Sequence, residues 1–273
     1  MNDNFSHPGE DSGRIRPFAG LLVALRFLTR LPIPFVRTLD PPPLHRSMAL
    51  FPLAGALIGG IVGGTLILGN LAGLPQLFSA TLAIAIGMVI TGALHEDGLS
   101  DMADGFGGGH SREERLAIMH DSRIGAYGAL ALGLLLMARA SLFMALLDVA
   151  PYGTVVLVAC AAAFSRSLMV DLLWATRPAR ADGLSVMAGR PSRNTTLAAL
   201  ALGGLFAAAG ASLVLAPAAA AVALAAAGVS LAMVRGLAMR KIGGQTGDVC
   251  GAAQILTEIA MLAVFAATLS LPS

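Results

Sequence analysis

Long apolar segments recur along this chain, and they restrict its possible folds more than any other feature. A helix needs about 20 apolar residues to cross a bilayer. Seven segments meet that requirement, at 48–68, 76–95, 126–147, 153–174, 195–215, 217–235 and 250–270. Charged residues make up only 12% of the 273 residues, too few to cover a water-facing surface, since soluble domains carry about 25%. The sequence therefore predicts an all-α, polytopic integral membrane bundle with about seven transmembrane helices.

The N-terminal region differs from these spans in two ways. Residues 1–16 are polar, and we expect them to be disordered because they offer too little apolar surface to offset the entropy of ordering. Residues 17–31 are apolar but short and contain Arg26 and Arg30, which fits an interfacial or re-entrant helix better than a full span. We expect residues 17–273 to form a single membrane-embedded domain.

Glycine repeats at every fourth position of the first span, at Gly55, Gly59 and Gly63. Such a stripe lets two helix backbones approach closely inside a membrane. We interpret it as a packing face, and the partner helix lies either in this protein or in a second subunit.

The distribution of basic residues predicts the orientation in the membrane. With the N-terminus in the cytoplasm, sixteen of the eighteen Lys and Arg residues fall in or beside the inside loops, and the outside loops hold none. Those inside loops are 1–47, 96–125, 175–194 and 236–249. Since basic loops remain on the cytoplasmic side, we expect the N-terminus and all the large polar loops to be cytoplasmic.

A short stretch between two apolar segments, residues 94–125, holds seven of the sixteen acidic residues. If the helix continues here, Asp97, Asp101 and Asp104 share one face, because positions i, i+4 and i+7 recur at nearly the same angle. Three like charges on one stripe repel, and a divalent cation removes that conflict. Carboxylate oxygens suit Mg²⁺ or Mn²⁺ better than softer metals. The pattern therefore predicts an oxygen-ligand metal site at the mouth of a membrane helix.

Two further polar loops are expected on the same side. One carries arginines, at 177, 180, 190 and 193, and the other is the glycine-rich run 243–248, which ends in Gln245, Thr246, Gly247 and Asp248. Carboxylates for a metal, arginines for anions and a glycine-rich loop together indicate a phosphate-bearing substrate. The arginines are equally explained as charges that keep their loop inside.

Apart from Arg235 at the end of a span, four charged residues fall within the predicted spans: Arg139, Arg166, Asp171 and Glu258. A charge there needs a partner or a wet cavity, and both a structural ion pair and the lining of a substrate cavity remain open.

The net charge of +2 is too small to indicate a nucleic-acid partner. Cys160 and Cys250 form no metal-ligand or disulfide pattern.

Four sequence blocks, taken together, resemble those of the cobalamin synthase (adenosylcobinamide-GDP ribazoletransferase) family. They occur in the expected order from about residue 20 to the end. They are Phe-Leu-Thr-Arg-Leu-Pro at 27–32, Asp-Gly-Leu-Ser-Asp-Met-Ala-Asp-Gly at 97–105, Ile-Met-His-Asp-Ser-Arg-Ile-Gly at 118–125 and Gly-Gly-Gln-Thr-Gly-Asp at 243–248.

The resemblance implies the last assembly step of the cobalamin nucleotide loop, with 17–273 as the catalytic domain. The family joins adenosylcobinamide-GDP to α-ribazole or its 5′-phosphate, releases GMP, and uses Mg²⁺ in the cytoplasmic (inner) membrane. Implied partners besides the substrates are the lipid bilayer, a second copy of the chain and other late cobalamin-pathway enzymes. The implied ligands of one or two Mg²⁺ ions are Glu96, Asp97, Asp101 and Asp104.

The resemblance also implies roles for other residues. Arginines and the glycine-rich loop would bind substrate, and Asp104 or Asp121 would take the proton of the attacking ribazole 5′-hydroxyl. The implied catalytic residues are Asp97, Asp101, Asp104, Asp121 and Arg123. The implied substrate-binding residues are Arg166, Arg177, Arg190, Gln245, Thr246 and Asp248.

Two other functions share features with this sequence. CDP-alcohol phosphotransferases also carry an acidic helix that begins with Asp-Gly at the membrane face, but their Asp-Gly-x-x-Ala-Arg opening is missing, because Asp101 replaces the alanine and Met102 the arginine. An ion-coupled transporter would use the charges within the spans, but inverted repeats are expected there and the acidic motif has no counterpart in the second half.

Overall fold

The computed structural model describes residues 17–33 and 41–270. Regular secondary structure in these two ranges is helical, and the predicted disorder of 1–16 falls outside them. The α-helices are α1 (Pro17–Leu28), α2 (Leu44–Ser47), α3 (Phe51–Leu71), α4 (Gln76–Thr91), α5 (Leu94–Gly108), α6 (Arg112–Ile118), α7 (Ala126–Val149), α8 (Gly153–Ala175), α9 (Leu184–Ala188), α10 (Arg193–Ala211), α11 (Pro217–Ile242) and α12 (Gly247–Leu269).

The prediction of an all-α polytopic membrane bundle is confirmed. Among the described helices, six units are long and apolar enough to cross a membrane, or seven if the bent pair of α4 and α5 counts as one span. The six are the continuous unit of α2 and α3, together with α7, α8, α10, α11 and α12. The helix α1 has 12 residues, about 18 Å at 1.5 Å per residue, and is too short to cross.

The predicted span 76–95 is divided in two. α4 ends at Thr91, and α5 leaves it at an angle of 90°. Gly92 and Ala93 both adopt left-handed backbone angles, with φ of 67° and 55°, which ends the α-helical path; an alanine there costs about 1–2 kcal/mol. A side chain at Gly92 would also lie 2.6 Å from Nε of Arg30. The sharp turn directs the acidic helix away from the axis of α4.

The centre of the bundle is formed by α8 and α12. In an apolar stretch of 18 residues within each helix, 78% of the residues of α8 and 72% of those of α12 are buried, against 28% in each of α7, α10 and α11. α8 packs against α3, α10 and α12, and α12 also packs against α5 and α11. The outer helices expose large apolar side chains such as Met137, Leu205 and Met233, as expected of helices that face lipid.

The glycine stripe of α3 is an intramolecular packing face. A Cβ atom at Gly55 or Gly59 would lie 2.4 Å or 2.7 Å from backbone oxygens of α8, those of Ala162 and Val158, respectively. A Cβ atom at Gly63 would meet Val155 in the same helix at 2.7 Å. The predicted close helix contact is therefore confirmed, and its partner is α8.

Candidate active site

The acidic stripe lies on one helix, α5, as predicted. α5 crosses the first turn of α12 at Gly98, where a Cβ atom would lie only 2.7 Å from the backbone oxygen of Asp248. A second close contact follows at Gly251, where a Cβ atom would lie 3.1 Å from the oxygen of Leu94. Glycine at both positions lets the helix backbones approach, which brings Asp248 next to the turn of α5 that carries Asp97 and Asp101.

The charges of these carboxylates act on one another. Burial raises the pKa of Asp101 to about 7, with further contributions from the negative charges of Asp97, Asp248 and Asp104, in that order. Arg180 acts in the opposite direction. α5 lies outside the six long spans, and Asp101 is partly exposed. Its carboxyl group is nevertheless costly to ionise, because of its partial burial and the neighbouring negative charges, unless a positive charge lies near it.

The donor chemistry of this group fits a hard divalent cation. Carboxylate oxygens are the ligands that Mg²⁺ takes from proteins, and the mutual repulsion at Asp101 is the kind that a cation relieves. Within 17–33 and 41–270, no three His, Cys, Asp or Glu side chains are gathered closely enough to hold an ion as they stand. Binding would therefore require carboxylate side chains to turn toward a shared ion.

Asp104 has a different environment from Asp97 and Asp101. Its two carboxylate oxygens accept hydrogen bonds from the backbone N–H groups of Gly125 at 2.8 Å and Gly128 at 2.9 Å. These groups belong to the N-terminal turn of α7, where N–H groups lack partners within the helix. Asp104 therefore joins α5 to the end of the 118–125 motif and is 8% exposed.

Asp248 is held by the loop that carries the arginines. Nη2 of Arg180 lies 2.7 Å from Oδ2 of Asp248, and Nη1 of Arg180 lies 3.3 Å from Nδ1 of His120. The hydroxyl of Thr246 donates to Oδ2 of Asp248 at 3.1 Å and accepts from the N–H of Val249 at 3.3 Å, which caps α12. The structure thus brings together the acidic helix, the arginine-bearing loop 175–194 and the glycine-rich loop at one place.

The sequence singled out neither Arg180 nor His120 for this group. Arg180 was one of four arginines in its loop, and residue spacing did not distinguish it from Arg177 or Arg190. Its distinguishing contact, with Asp248, joins residues 68 positions apart.

The glycine-rich loop is paired with residues 177–179 through backbone atoms. The N–H of Gln245 donates to the oxygen of Arg177 at 2.9 Å, and the N–H of Ala179 donates to the oxygen of Gln245 at 2.7 Å. Gly244 has no room for a side chain, because a Cβ atom would lie 2.4 Å from the oxygen of Arg177. Gln245 and Thr246 are 2% and 1% exposed, so their side chains are part of the loop's framework.

Arg177 and Arg190 bond to backbone oxygens. Nε of Arg177 donates to the oxygen of Gly243 at 3.1 Å. Arg190 donates through Nε and Nη2 to the oxygen of Trp174, at 3.0 Å and 2.6 Å, at the end of α8. Arginine side chains commonly satisfy the last carbonyls of a helix in this way.

Asp121 and Arg123 form a pair in the loop between α6 and α7. Nη2 of Arg123 lies 2.6 Å from Oδ2 of Asp121, and the Arg123 side chain is 87% exposed. Hydrogen bonds from Arg123 lower the pKa of Asp121, and the same contact raises the pKa of Arg123. The pair is accessible from solvent, and it follows directly after His120, which contacts Arg180.

Glu96 and Arg166 lie apart from this group, although both were expected in it. Oε1 of Glu96 accepts from Nη1 of Arg139 at 2.8 Å, and Nη1 of Arg166 donates to Oε2 of Glu258 at 3.0 Å. Glu96 is 4% exposed and Arg166 3%. Since Glu96 and Asp97 are neighbours on a helix, their side chains point about 100° apart. Both side chains are therefore held in buried ion pairs rather than directed at the carboxylates of Asp97 and Asp101.

The charges within the spans are thus engaged in ion pairs. Arg139 and Arg166 contact Glu258, and Asp171 of α8 lies 3.5 Å from Arg235 of α11. Of the two explanations that the sequence left open, the ion pair is the one observed.

Comparison with known proteins shows which family shares this arrangement of motifs. The family model described as cobalamin-5-phosphate synthase matches residues 20–266. An adenosylcobinamide-GDP ribazoletransferase of Azorhizobium caulinodans is 45% identical over 256 residues, which cover 90% of this chain and 95% of that protein. Proteins of the same name from a Sinorhizobium species and Mesorhizobium japonicum are 43% and 41% identical, covering 90% and 91% of this chain and 95% and 93% of their own.

No solved structure matches the chain significantly. The family match extends over most of the chain and includes α5, the 118–125 motif and the glycine-rich loop. The chain belongs to the cobalamin-5-phosphate synthase family.

Proposed function

We propose that this protein, a transferase of cobalamin nucleotide-loop assembly by its family, joins adenosylcobinamide-GDP to α-ribazole or α-ribazole 5′-phosphate. The products are adenosylcobalamin or its 5′-phosphate, together with GMP. The reaction site is the group formed by Asp97, Asp101, Asp248 and Arg180. The observation that supports it most is the contact at Gly98, which places the acidic helix and the glycine-rich loop together.

The reaction requires an alcohol oxygen to attack one phosphorus of a diphosphate while GMP leaves. Phosphoryl transfer needs little covalent participation by the protein, and positioning and neutralisation of charge dominate. We propose that Asp97, Asp101 and Asp248 hold one or two Mg²⁺ ions. Bound Mg²⁺ supplies positive charge to the diphosphate and to the leaving GMP. Asp104 supports the site by holding the N-terminus of α7 through its two backbone hydrogen bonds.

Arginines at the same end supply the remaining positive charge. Arg180 lies within the group, and Arg123, part of the 118–125 motif, has a side chain that is 87% exposed. Guanidinium groups bind phosphate oxygens through two parallel hydrogen bonds, so we assign both residues to the diphosphate. Of the two carboxylates that could take the proton of the attacking hydroxyl, we favour Asp121, because its side chain is 38% exposed, whereas Asp104 is 8% exposed and is held by the backbone N–H groups of Gly125 and Gly128.

The polar segments of the chain meet at one end of the bundle. Arg112 of α6 donates to the oxygens of Ala179 and Ile242, and Arg115 donates to that of Lys241 at 3.1 Å. The loops around α6, after α8 and before α12 are thus joined. Because these are the basic segments, we propose that this end faces the cytoplasm at the inner membrane.

The experiment that tests this site compares matched aspartate variants in lipid-reconstituted protein. We expect Asp97→Asn and Asp101→Asn to lose GMP release and cobalamin formation while remaining folded. Asp148→Asn is the control, because Asp148 bonds to Gln76 at the other end of α7 and its neutralisation leaves the site untouched. Full activity of both site variants at limiting Mg²⁺ would overturn the assignment.

A further inference from the structure

A cluster of four buried charges lies next to the proposed site but contributes no group to it. We call Glu96, Arg139, Arg166 and Glu258 the charged cluster. Arg139 donates to Glu96 at 2.8 Å and to Glu258 at 3.0 Å through its two terminal nitrogens, and Arg166 contacts the other oxygen of Glu258 at 3.0 Å. Each member is at most 6% exposed. The cluster joins α5, α7, α8 and α12, and its formal charges cancel.

Stability alone does not account for such a cluster. Removing ionised groups from water costs several kcal/mol per ion, so apolar residues of similar volume often serve as well or better. The arrangement does, however, specify geometry. Arg139 bonds at once to α5 and α12, the two helices that carry the proposed carboxylates. Glu96 is the residue immediately before Asp97.

The space inside the cluster is too small for a substrate. A cavity of about 20 Å³ is lined by the cluster together with His95 and Gln254, and a single water needs about 10–15 Å³. Four buried polar atoms among the described residues have no protein partner there: Nε2 of His95, Oε2 of Glu96 and the Nε atoms of Arg139 and Arg166. One neutral molecule that both donates and accepts, such as water, suits two N–H donors and a carboxylate oxygen. An anion would be opposed by Glu96 and a cation by the arginines.

We propose that the charged cluster is a positioning element, which fixes the orientation of α5 against α12 and so places Asp97 and Asp101 beside Asp248. Its effect on turnover rests on the proposed function, whereas its effect on the order of α5 does not. The cluster acts through the neighbouring residues of α5, because its members are enclosed and contact one another.

Two variants test this proposal with little change in volume. Glu96→Gln removes the charge that Arg139 meets on α5. Arg139→Lys keeps the positive charge but loses the planar fork that reaches Glu96 and Glu258 together. The control is Asp171→Asn, which breaks another interhelical ion pair, that with Arg235, which joins α8 to α11 rather than α5 to α12.

Four quantities are measured on each folded variant in detergent or lipid. We expect kcat to fall by about 100-fold, since a misplacement of about 1 Å can cost that much, and the Mg²⁺ concentration for half-maximal activity to rise. We expect the Michaelis constant for α-ribazole to change little. Hydrogen–deuterium exchange should become faster within α5 and remain unchanged in α10 and α11. The Asp171→Asn control should keep the wild-type kcat and the wild-type exchange of α5.

The outcomes separate this proposal from its alternatives. Wild-type kcat and wild-type exchange of α5 in both cluster variants would overturn it. Faster exchange spread over all helices, with unchanged kcat per folded molecule, would also overturn it, because the cluster would then serve stability alone. If Glu96→Gln does not fold, Arg139→Lys decides the matter by the same criteria. If the wild-type protein shows no transferase activity, the proposed function fails, and exchange confined to α5 would still support the positioning role.

Discussion

Substitution of Gly98 by alanine should separate the geometry of the proposed site from its charges. A Cβ atom at this position would lie 2.7 Å from the backbone oxygen of Asp248 and 3.0 Å from its Cα, whereas ordinary contact begins at 3.4 Å. Both obstacles are backbone atoms, so no side chain can turn aside. α5 and α12 must therefore move apart by about 0.7 Å at this point, which is the difference between 3.4 Å, where ordinary contact begins, and the 2.7 Å from the Cβ atom to the oxygen of Asp248.

The expected consequence is a loss of activity greater than the loss of stability. A misplacement of about 1 Å can cost about 100-fold in rate, so we expect kcat to fall by about 10- to 100-fold. Overpacking costs typically about 1–3 kcal/mol, and alanine in place of glycine returns about 1 kcal/mol of helix propensity. The free energy of unfolding should therefore fall by no more than about 2 kcal/mol on these principles, and the protein should remain folded.

The assay is GMP release by the reconstituted protein, together with its thermal melting temperature. The matched control is Gly60→Ala in α3, where a Cβ atom would have no neighbour within 4 Å. We expect this control to keep wild-type turnover. Wild-type turnover by folded Gly98→Ala protein would refute the idea that close contact of α5 with α12 sets the geometry of the site.

Three further predictions follow from the structure. Asp104→Asn should lower the free energy of unfolding by about 1–3 kcal/mol, and with it the melting temperature, because the new NH₂ group would face one of the backbone N–H groups of Gly125 and Gly128. The Mg²⁺ requirement should stay unchanged, and a raised requirement would indicate a ligand role. In metal-free protein, the melting temperature should fall as pH rises toward and through about 7, because the folded-state pKa of Asp101 lies above its ordinary value of 3.8. The contribution of protonated Asp101 to stability is fully present below about pH 4 and is lost as the pH rises to about 7. Asp101→Asn should flatten this pH dependence of the melting temperature, and an unchanged dependence in that variant would contradict the assignment to Asp101. A reporter fused after Ser273 should be periplasmic if α4 completes a seventh crossing, and a cytoplasmic reading would mean that α4 and α5 together are re-entrant.

The fold was predictable from the sequence because membrane spans depend on local composition. Each span needs only enough consecutive apolar residues, and the glycine stripe of α3 indicated close packing before its partner was known. The 90° turn between α4 and α5 was not predictable, since the apolar segment continues through Gly92 and a left-handed alanine at position 93 has no sequence signature.

The candidate site was predictable where its residues share one helix. Asp97, Asp101 and Asp104 lie on α5 because helical spacing is a local property. Contacts between distant segments were beyond reach of the same reasoning. The contact of Glu96 with Arg139 joins residues 43 positions apart, and only the packing of α5 against α7 and α12 decides that Glu96 faces the charged cluster rather than the carboxylates.

The most direct test of the central claim follows both products in one reaction. Purified wild-type protein in lipid is supplied with adenosylcobinamide-GDP and α-ribazole, with Mg²⁺ or with a chelator in its place. The account predicts GMP and adenosylcobalamin in equal amounts, with formation of both abolished by the chelator and restored by added Mg²⁺. Folded protein that forms neither product, or that forms both at an undiminished rate with the divalent cation removed, would contradict it.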